Sequence, residues 1–362
     1  MNILLLSPEL FLHDGGIARI LRLYLKAAGE IAGPNGRVDS VVLNDADARP
    51  ASLAAYASAN FGEQVVCDRS KLRFIRAALR LSRKADVIVC GHVHLLPVAA
   101  LAARLRPGLA YCLVAHGIEV WRPFSWLERR ALLGAHRILC VSDYTRRQLL
   151  RFAPGLAPGR LVFVPNGLDP ALEAAIGDAP APDLSARPRI LSVGRLTRSD
   201  AYKGFDVLIE ALAQVRRELP LARLRIVGDG DDRPRLAALA HSHGVAGAVE
   251  FLGRLDDDAL RREYAACDFF ALPSQREGFG LVYLEAMIHG KACLGARAGG
   301  APEVINADVG ELPAYGHVQG VADAIRDLVA HPRDSAVVRG HAATFAYPHF
   351  AQRLAAALPR HG

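Results

Sequence analysis

Short apolar runs alternate with helix-period patterns along the first half of the chain. Six of these runs predict strands buried on both faces, at 2–6, 38–43, 86–90, 110–115, 137–141 and 161–164. Between them, apolar residues recur every three or four positions, which predicts helices at 16–29, 70–83, 94–104 and 143–151. This alternation is typical of a parallel sheet covered by helices.

The alternation stops at 171–188, where prolines and few bulky apolar residues indicate an interdomain linker. It resumes with predicted strands at 189–194, 223–228, 248–252, 268–272 and 291–295. We therefore expect an α/β fold of two Rossmann-like, doubly wound domains, 1–170 and 189–344, that face each other across a cleft. The Ala- and Leu-rich end of the chain predicts a helix at 345–362 that crosses back onto the first domain.

The composition is that of an ordinary globular protein, with 51% hydrophobic and 22% charged residues among 362. No apolar run approaches the roughly 18 residues of a membrane-spanning helix, and the first residues lack the features of a signal peptide. The sequence thus predicts a cytoplasmic protein. The six cysteines are irregularly spaced without a Cys-x-x-Cys pair, which favours buried free thiols over disulfides or zinc.

The net charge of +7 is concentrated in the first half of the chain. Residues 1–170 contain 22 Lys or Arg and 13 Asp or Glu, whereas 171–362 contain 22 and 24. This asymmetry indicates an anionic partner for the first half, such as nucleic acid, anionic lipid or a phosphorylated acceptor. Residues 69–84 contain seven cations, no acid and interleaved apolar residues. They predict a basic helix that either lies on an anionic membrane or has a solvated basic face.

A candidate ligand site follows the strand predicted at 268–272. Glu277-Gly278-Phe279-Gly280 leads into a helix that contains Glu285. Glycines let a ligand approach the backbone, and the free N–H groups at a helix start attract phosphate. The two glutamates stand eight positions apart, and each can accept hydrogen bonds from paired hydroxyls of one ligand. The alternative is a strand–turn–helix connection with one capping and one solvated carboxylate.

Other candidates follow neighbouring predicted strands. Arg195 and Lys203 flank the loop after 189–194 and suit a diphosphate, although each is also compatible with a solvated surface cation. The segment 299–303, Gly-Gly-Ala-Pro-Glu, permits a tight turn with or without a ligand.

The first half offers weaker signals. Gly15 and Gly16 open a helix after the first predicted strand, and His116 follows the strand at 110–115, where it could hydrogen-bond a sugar, donate a proton or serve structure alone. His92 and His94 lack a nearby third ligand, so we expect no metal. The acidic clusters at 229–232 and 256–258 are expected to cap helices.

Together these segments resemble the retaining GT-B glycosyltransferases of family 4, over nearly the whole chain. The most specific part is the motif of two acids separated by seven residues, from Glu277 to Glu285. The insert 197–201 between Arg195 and Lys203 departs slightly from the usual length. The supporting segments are Gly194-Arg195, Lys203-Gly204, Gly228-Asp229-Gly230, 299–303, Gly15-Gly16, His116-Gly117 and Pro165-Asn166-Gly167.

The resemblance implies a role for each candidate. Arg195 and Lys203 would neutralise the diphosphate of a nucleotide-sugar donor, and Glu285 would hold its ribose hydroxyls. Glu277 would bind donor-sugar hydroxyls near the reacting carbon, and His116 would contact the sugar from the opposite domain. The remaining donor contacts would come from backbone groups of Phe279, Gly280 and Leu281 and from closure of Gly15 and Gly16 over the phosphates.

The resemblance also implies that the anomeric configuration of the sugar is kept, without a cofactor or an obligatory metal. We expect transfer of a hexose from GDP-mannose or a UDP-sugar to a glycan or polyprenyl-linked acceptor in bacterial cell-surface polysaccharide biosynthesis. The segment 69–84 favours an acceptor at the inner face of the plasma membrane. Sugar phosphorylases and nucleotide-sugar epimerases share the fold and are the alternative. A nucleic-acid partner is disfavoured, because no binding motif or aromatic platform accompanies the basic charge.

Overall fold

The structure is a computed structural model that describes residues 1–12, 15–46, 50–173 and 188–359. The chain divides into two compact units. Unit 1 comprises Met1–Asp169 and Phe345–Gly362, and unit 2 comprises Pro170–Thr344. Most of the linker predicted at 171–188 lies outside the described residues, as do the last three positions of the helix predicted at 345–362.

Each unit is built on one sheet in which every pair of neighbouring strands is parallel. The sheet of unit 1 has the order β3-β2-β1-β4-β5-β6-β7, and that of unit 2 has the order β10-β9-β8-β11-β12-β13. The strands of unit 1 are β1 Asn2–Ser7, β2 Arg37–Val42, β3 Phe61–Val66, β4 Val87–Cys90, β5 Ala110–Ala115, β6 Arg137–Cys140 and β7 Leu161–Phe163. Those of unit 2 are β8 Arg189–Val193, β9 Arg223–Val227, β10 Val249–Gly253, β11 Phe269–Ala271, β12 Cys293–Leu294 and β13 Gly310–Glu311.

Helices connect successive strands in both units. Those of unit 1 before the crossover are α1 Gly16–Ala32, α2 Pro50–Ala54, α3 Lys71–Ser82, α4 Leu96–Leu105, α5 Trp126–Gly134 and α6 Asp143–Phe152. Those of unit 2 are α7 Pro170–Glu173, α8 Phe205–Val215, α9 Arg233–Ser242, α10 Asp257–Ala266, α11 Leu281–Ile288, α12 Val318–Ala330 and α13 Ser335–Ala343. The last helix, α14 Tyr347–Ala357, belongs to unit 1. This architecture confirms the expected pair of Rossmann-like domains.

Local sequence explains where several helices begin. Ser70, Ser125, Ser142 and Asp256 each accept a backbone N–H of the first turn that follows, which satisfies a donor that the helix itself cannot. Asp256 accepts the N–H of Ala259 at 2.7 Å, so the expectation of a capping role is confirmed for this residue. No helix among the described residues combines the length and the apolar character that spanning a membrane requires.

The cysteines lie in the interior of the two units. All six are free and buried, which confirms the expectation of buried thiols. Burial raises the pKa of Cys90, Cys112 and Cys267 to about 12, because the thiolate would lose its hydration.

Helix α14 packs against α1 and completes the core of unit 1. Phe350 is fully buried and meets the ring of Tyr24 edge-on, with 5.0 Å between ring centroids. Gly167 leaves room for this ring, because a Cβ there would lie 2.7 Å from the Cβ of Phe350. The N–H of Leu168 donates to the carbonyl of Phe345 at 2.9 Å, which ties the two distant segments together.

We expect Phe350→Ala to lower the free energy of unfolding of unit 1 by about 3–5 kcal/mol, because it leaves a cavity against α1. Gln352→Ala, on the exposed side of the same helix, is the matched control and should change stability by less than about 0.5 kcal/mol. Urea denaturation followed by circular dichroism measures both variants. Equal stability of the two would show that α14 contributes little to unit 1.

Candidate functional site

The candidate site of unit 2 lies where the order of strands reverses. β8 lies between β9 and β11, so the loops that follow β8 and β11 run in opposite directions from adjacent strands. The loop after β8 carries Arg195 and Lys203, and the loop after β11 carries Glu277. The N–H of Gln275 donates to the carbonyl of Tyr202 at 2.8 Å, which joins the two loops. The sequence candidates of unit 2 therefore gather at one edge of its sheet.

The N-terminus of α11 faces this edge. Gly280 precedes the helix with a φ of +100°, a conformation that suits glycine, and a Cβ there would lie 2.3 Å from the ring of Tyr283. Within the described part of the chain, no side chain caps this helix. The side chain of Phe279 is buried, so the segment Phe279–Leu281 presents mainly its backbone. Free N–H groups at a helix start can bind phosphate.

The backbone of Glu277 is held by the loop after β12. The N–H of Gly300 donates to the carbonyl of Glu277 at 2.7 Å. Gly299 has a φ of +60°, and a Cβ at this position would lie 2.6 Å from the same carbonyl oxygen. The segment 299–303, which the sequence left open as a turn or a ligand contact, therefore acts on Glu277 through the backbone.

Lys203 and Glu277 form a loose pair. Their Nζ and Oε2 atoms are 4.0 Å apart, and less than a fifth of each side chain is exposed. Gly194 allows this approach, because a Cβ there would lie 3.2 Å from the Cδ of Lys203. A pair at this distance leaves the ammonium group able to donate hydrogen bonds to an arriving ligand.

Arg195 is held by an acid that the sequence did not single out. Asp200 is buried, and its Oδ2 and Oδ1 atoms accept from Nε and Nη2 of Arg195 at 3.0 and 3.2 Å. The hydroxyls of Thr197 and Tyr202 donate to the same carboxylate, each at 2.8 Å. The side chain of Arg195 is 74% exposed, so its guanidinium lies at the surface, and the buried Asp200 sets its orientation.

Glu285 lies in the second turn of α11 and is mostly buried. Its Oε2 accepts the hydroxyl of Tyr264 at 2.9 Å. The ring of Tyr264 stacks on His289, with the two planes 11° apart. These contacts fix the carboxylate that the resemblance assigns to the ribose hydroxyls.

In unit 1, His116 is held at the carboxyl end of β5. Its Nε2 lies 2.9 Å from the carbonyl of Gly91, so that nitrogen carries the proton and Nδ1 is left as an acceptor. Burial lowers the pKa of His116 to about 4, because the charged ring would lose hydration. The ring is therefore neutral at physiological pH. Of the three roles left open, the geometry favours acceptance of a hydroxyl hydrogen bond over donation of a proton.

His92 and His94 take part in a local network of hydrogen bonds. Nδ1 of His92 accepts the N–H of His94 at 3.2 Å, and Nδ1 of His94 lies 2.9 Å from Oε1 of the buried Glu128. Burial alone would raise the pKa of Glu128, but hydrogen bonds from Arg122 and Ser125 lower it to about 2. In the described ranges, no three His, Cys, Asp or Glu side chains come together as metal ligands.

The loop that contains Gly15 and Gly16 is supported from within unit 1. Gly15 has extended backbone angles, and α1 begins at Gly16. The fully buried carboxylate of Asp45 accepts the N–H groups of Leu10 and Phe11, the latter at 2.9 Å. These hydrogen bonds hold the segment that directly follows β1.

Two family models match the chain. The model described as glycosyl transferases group 1 matches residues 187–331, and the model described as glycosyltransferase family 4 matches residues 44–172. The GDP-mannose-dependent alpha-(1-6)-phosphatidylinositol monomannoside mannosyltransferase of Mycobacterium tuberculosis is 35% identical over 268 residues, which span 68% of this chain and 67% of that protein. The chain belongs to glycosyltransferase family 4. It is a nucleotide-sugar glycosyltransferase.

Other comparisons with this glycosyltransferase agree at the level of family and fold. The alpha-maltose-1-phosphate synthase of Mycobacterium tuberculosis is 30% identical over 288 residues, which span 71% of this chain and 73% of that enzyme. The Anabaena protein HepE, crystallised with UDP, superposes with a TM-score of 0.79 at 22% identity, covering 98% of this chain and 99% of that one. Sucrose-phosphate synthase from Thermosynechococcus elongatus superposes with a TM-score of 0.78 at 22% identity over 98% of this chain and 97% of its own. The two structures have the GT-B fold of this glycosyltransferase.

Asp200, Tyr264 and Asp45 are the site-supporting residues that sequence reasoning missed. Asp200 lies in the insert 197–201, whose unusual length was the one available signal. Tyr264 and Asp45 follow no motif, and only the folded chain brings them to Glu285 and to the loop after β1.

We expect Asp200→Asn in this glycosyltransferase to weaken binding of a nucleotide-sugar donor by about tenfold, because Arg195 loses its charged, two-point support. Isothermal titration calorimetry with UDP- and GDP-sugars measures the change. Asp308→Asn, which removes an exposed acid elsewhere in unit 2, is the control and should bind normally. Tighter donor binding by Asp200→Asn would show instead that Asp200 mainly neutralises Arg195.

Stability of this glycosyltransferase should fall as the pH drops from about 6.5 toward 4. His116 and His92 have pKa values lowered to about 4 by burial, whereas the unfolded side chains titrate near 6.5, so protons bind the unfolded chain preferentially in this window. Urea midpoints at pH 7 and pH 5 measure the fall. The variant His116→Gln keeps an amide that can donate to the carbonyl of Gly91 but does not titrate. Its urea midpoint should therefore differ less between the two pH values. An unchanged pH dependence in this variant would contradict the assigned pKa.

Proposed function

We propose that this glycosyltransferase moves a hexose from a nucleotide-diphosphate sugar, GDP-mannose or a UDP-sugar, to a glycan or lipid-linked acceptor with retention of the anomeric configuration. The observation that carries the proposal is the gathering of Arg195, Lys203, Glu277 and the start of α11 at one edge of the unit 2 sheet. Two cations and a helix N-terminus suit a diphosphate, and a carboxylate beside them suits sugar hydroxyls.

In this proposal each group has one task. Arg195 and Lys203 stabilise the diphosphate charge that grows as the donor bond breaks. Backbone groups of Phe279, Gly280 and Leu281 approach the phosphate and sugar. The carboxylate of Glu285 accepts hydrogen bonds from the ribose hydroxyls. Glu277 orients the donor sugar. These groups are preorganised by contacts within unit 2, so little reorganisation accompanies the reaction.

The proposed chemical step is a front-face displacement. The acceptor hydroxyl oxygen forms a bond to the anomeric carbon while the bond from that carbon to the diphosphate oxygen breaks. The proton of the acceptor passes to the leaving phosphate oxygen, so no protein base is required. The neutral His116 ring accepts a hydrogen bond from a sugar hydroxyl through Nδ1. Positioning and charge stabilisation supply the rate enhancement, and we propose that neither a metal nor a cofactor is obligatory.

The proposed acceptor is a lipid-linked glycan at the inner face of the plasma membrane, in bacterial cell-surface polysaccharide assembly. One relative is named for a phosphatidylinositol-linked acceptor, which supports a lipid anchor. The exposed cations of the segment 69–84 support an anionic surface. Family membership favours a transferase over the phosphorylase and epimerase alternatives.

Donor binding should be visible as thermal stabilisation. We expect either UDP-sugars or GDP-sugars to raise the melting temperature of the wild-type protein, and Glu285→Gln to abolish that rise while keeping an acceptor for Tyr264. Asp308→Asn, an exposed substitution elsewhere in unit 2, is the control. No stabilisation of folded wild-type protein by any nucleotide sugar would contradict the donor site.

The same protein tests stereochemistry and metal dependence. Proton NMR of the product should show the anomeric configuration of the donor, and EDTA should leave the rate unchanged. An inverted product, or a covalent sugar trapped on a side chain, would reject front-face displacement.

A further inference from the structure

The apolar side of α3 is already buried in unit 1. Phe74, Ala78 and Leu81 face the core, whereas Arg73 and Arg76 are exposed. A helix that lies in a bilayer must offer its own apolar side to the lipid. The segment 69–84 can therefore supply attraction to an anionic surface, but its buried apolar residues cannot insert.

Two neighbouring helices extend this basic surface. α3 packs beside α4, and α4 packs beside α5, so the outer sides of the three helices form one surface, which we call the three-helix face. The cations on the three helices are Lys71, Arg73, Arg76, Arg80, Arg104, Arg129 and Arg130, all exposed.

Acidic side chains hardly offset these cations. The only acid on α3, α4 and α5, all of which lie in described ranges, is Glu128, which is buried against Arg122 and His94. Beside the face, Glu63 of β3 pairs with Arg80, and Asp68 is exposed in the turn before α3. An open hollow of about 440 Å³ lies along α3, lined by Arg73, Arg76, Arg80, Ser70, Leu72 and Ala77.

The first turn of α5 adds exposed apolar side chains to this surface. Trp126 is 69% exposed and Leu127 is 58% exposed. The guanidinium of Arg130 lies 5.5 Å from the Trp126 ring centroid, so a cation accompanies the aromatic ring. Leu72, in the first turn of α3, is also 58% exposed. Exposed Trp and Leu beside arginines match the composition of the boundary between lipid head groups and acyl chains.

We propose that the three-helix face binds an anionic phospholipid bilayer, with the cations of α3 providing attraction and Trp126 with Leu127 inserting at the head-group boundary. This inference rests on the proposed function, in which the membrane holds the lipid-linked acceptor. Trp126 and His116 both follow β5, so insertion there would bring a lipid-linked acceptor to the carboxyl edge of the unit 1 sheet. Exposed leucines favour lipid over nucleic acid, which binds through aromatic stacking and phosphate contacts.

Co-flotation with vesicles tests the proposal. We expect the wild-type protein to bind vesicles of phosphatidylcholine and phosphatidylglycerol at three to one, and to bind pure phosphatidylcholine at least about tenfold more weakly. Arg73→Glu with Arg76→Glu should weaken binding to the anionic vesicles by about tenfold or more. Trp126→Ala with Leu127→Ser should weaken it by about tenfold while the remaining binding becomes more sensitive to salt.

Matched controls lie in unit 2. Leu221→Ser removes an equally exposed leucine, and Arg217→Glu with Arg223→Glu reverses two exposed cations. Both should bind anionic vesicles like the wild-type protein. Equal losses in these controls, or full binding by the Trp126 and Leu127 variant, would overturn the assignment of the three-helix face. Displacement of the vesicles by a single-stranded oligonucleotide at equal charge concentration would also overturn it.

Tryptophan fluorescence reports insertion directly. The chain has two tryptophans, so Trp121→Phe leaves Trp126 as the only one. Its emission should shift to shorter wavelength with anionic vesicles and be quenched by brominated acyl chains. An unchanged spectrum in protein that floats with the vesicles would refute insertion.

None of these vesicle and fluorescence experiments uses a nucleotide sugar, so failure of the donor experiments leaves them interpretable. Conversely, loss of vesicle binding with intact donor stabilisation would leave the transferase proposal standing.

Discussion

Close contact between two backbone segments is the constraint on which the candidate donor site depends. Gly299 and Gly300 approach the backbone of Glu277 so closely that a Cβ on either would lie within 3 Å of it or of Gly278. The hydrogen bond from the N–H of Gly300 to the carbonyl of Glu277 then fixes the backbone from which the Glu277 side chain extends. Lys203 reaches that carboxylate by passing over Gly194. Close backbone contacts at glycines thus place the charged groups of this site.

The two cations of the site differ in how they are held. Arg195 is fixed by a buried carboxylate that also receives two hydroxyls, so its orientation is established before a ligand arrives. Lys203 stands farther from its acid and retains freedom to follow a phosphate. Arginine suits the first role because its planar fork matches a carboxylate, and lysine suits the second because its charge is compact and rotatable. In the proposed function, a rigid and an adaptable cation would both suit a diphosphate whose negative charge grows as the donor bond breaks.

The parts of the fold that the sequence predicted well are those where burial repeats regularly. The strand at 110–115 was placed to the residue, because both of its faces are apolar. β3 was missed, since Phe61–Val66 is an edge strand that contains glycine, glutamate and glutamine and is only partly buried. The helix predicted at 345–362 is shorter in the structure, where α14 begins at Tyr347 and ends at Ala357.

The candidate site was predictable in its motif and not in its supports. Glu277, Lys203 and Arg195 stand at the ends of predicted strands, and parallel strands bring such ends together. Asp200 reads in the sequence as one more surface acid, because its burial arises from the folded loop. The meaning of 69–84 was also undecidable from periodicity, since a helix packed on a core and a helix on a membrane share one pattern.

The buried thiols have a practical consequence. Because all six native cysteines are buried and burial raises the pKa of each thiol, the folded chain offers maleimide dyes no reactive native partner. A cysteine introduced on the surface of each unit would therefore be labelled selectively, without first replacing the native residues. Such dyes would report on the surface of either unit in a protein whose cores are unaltered.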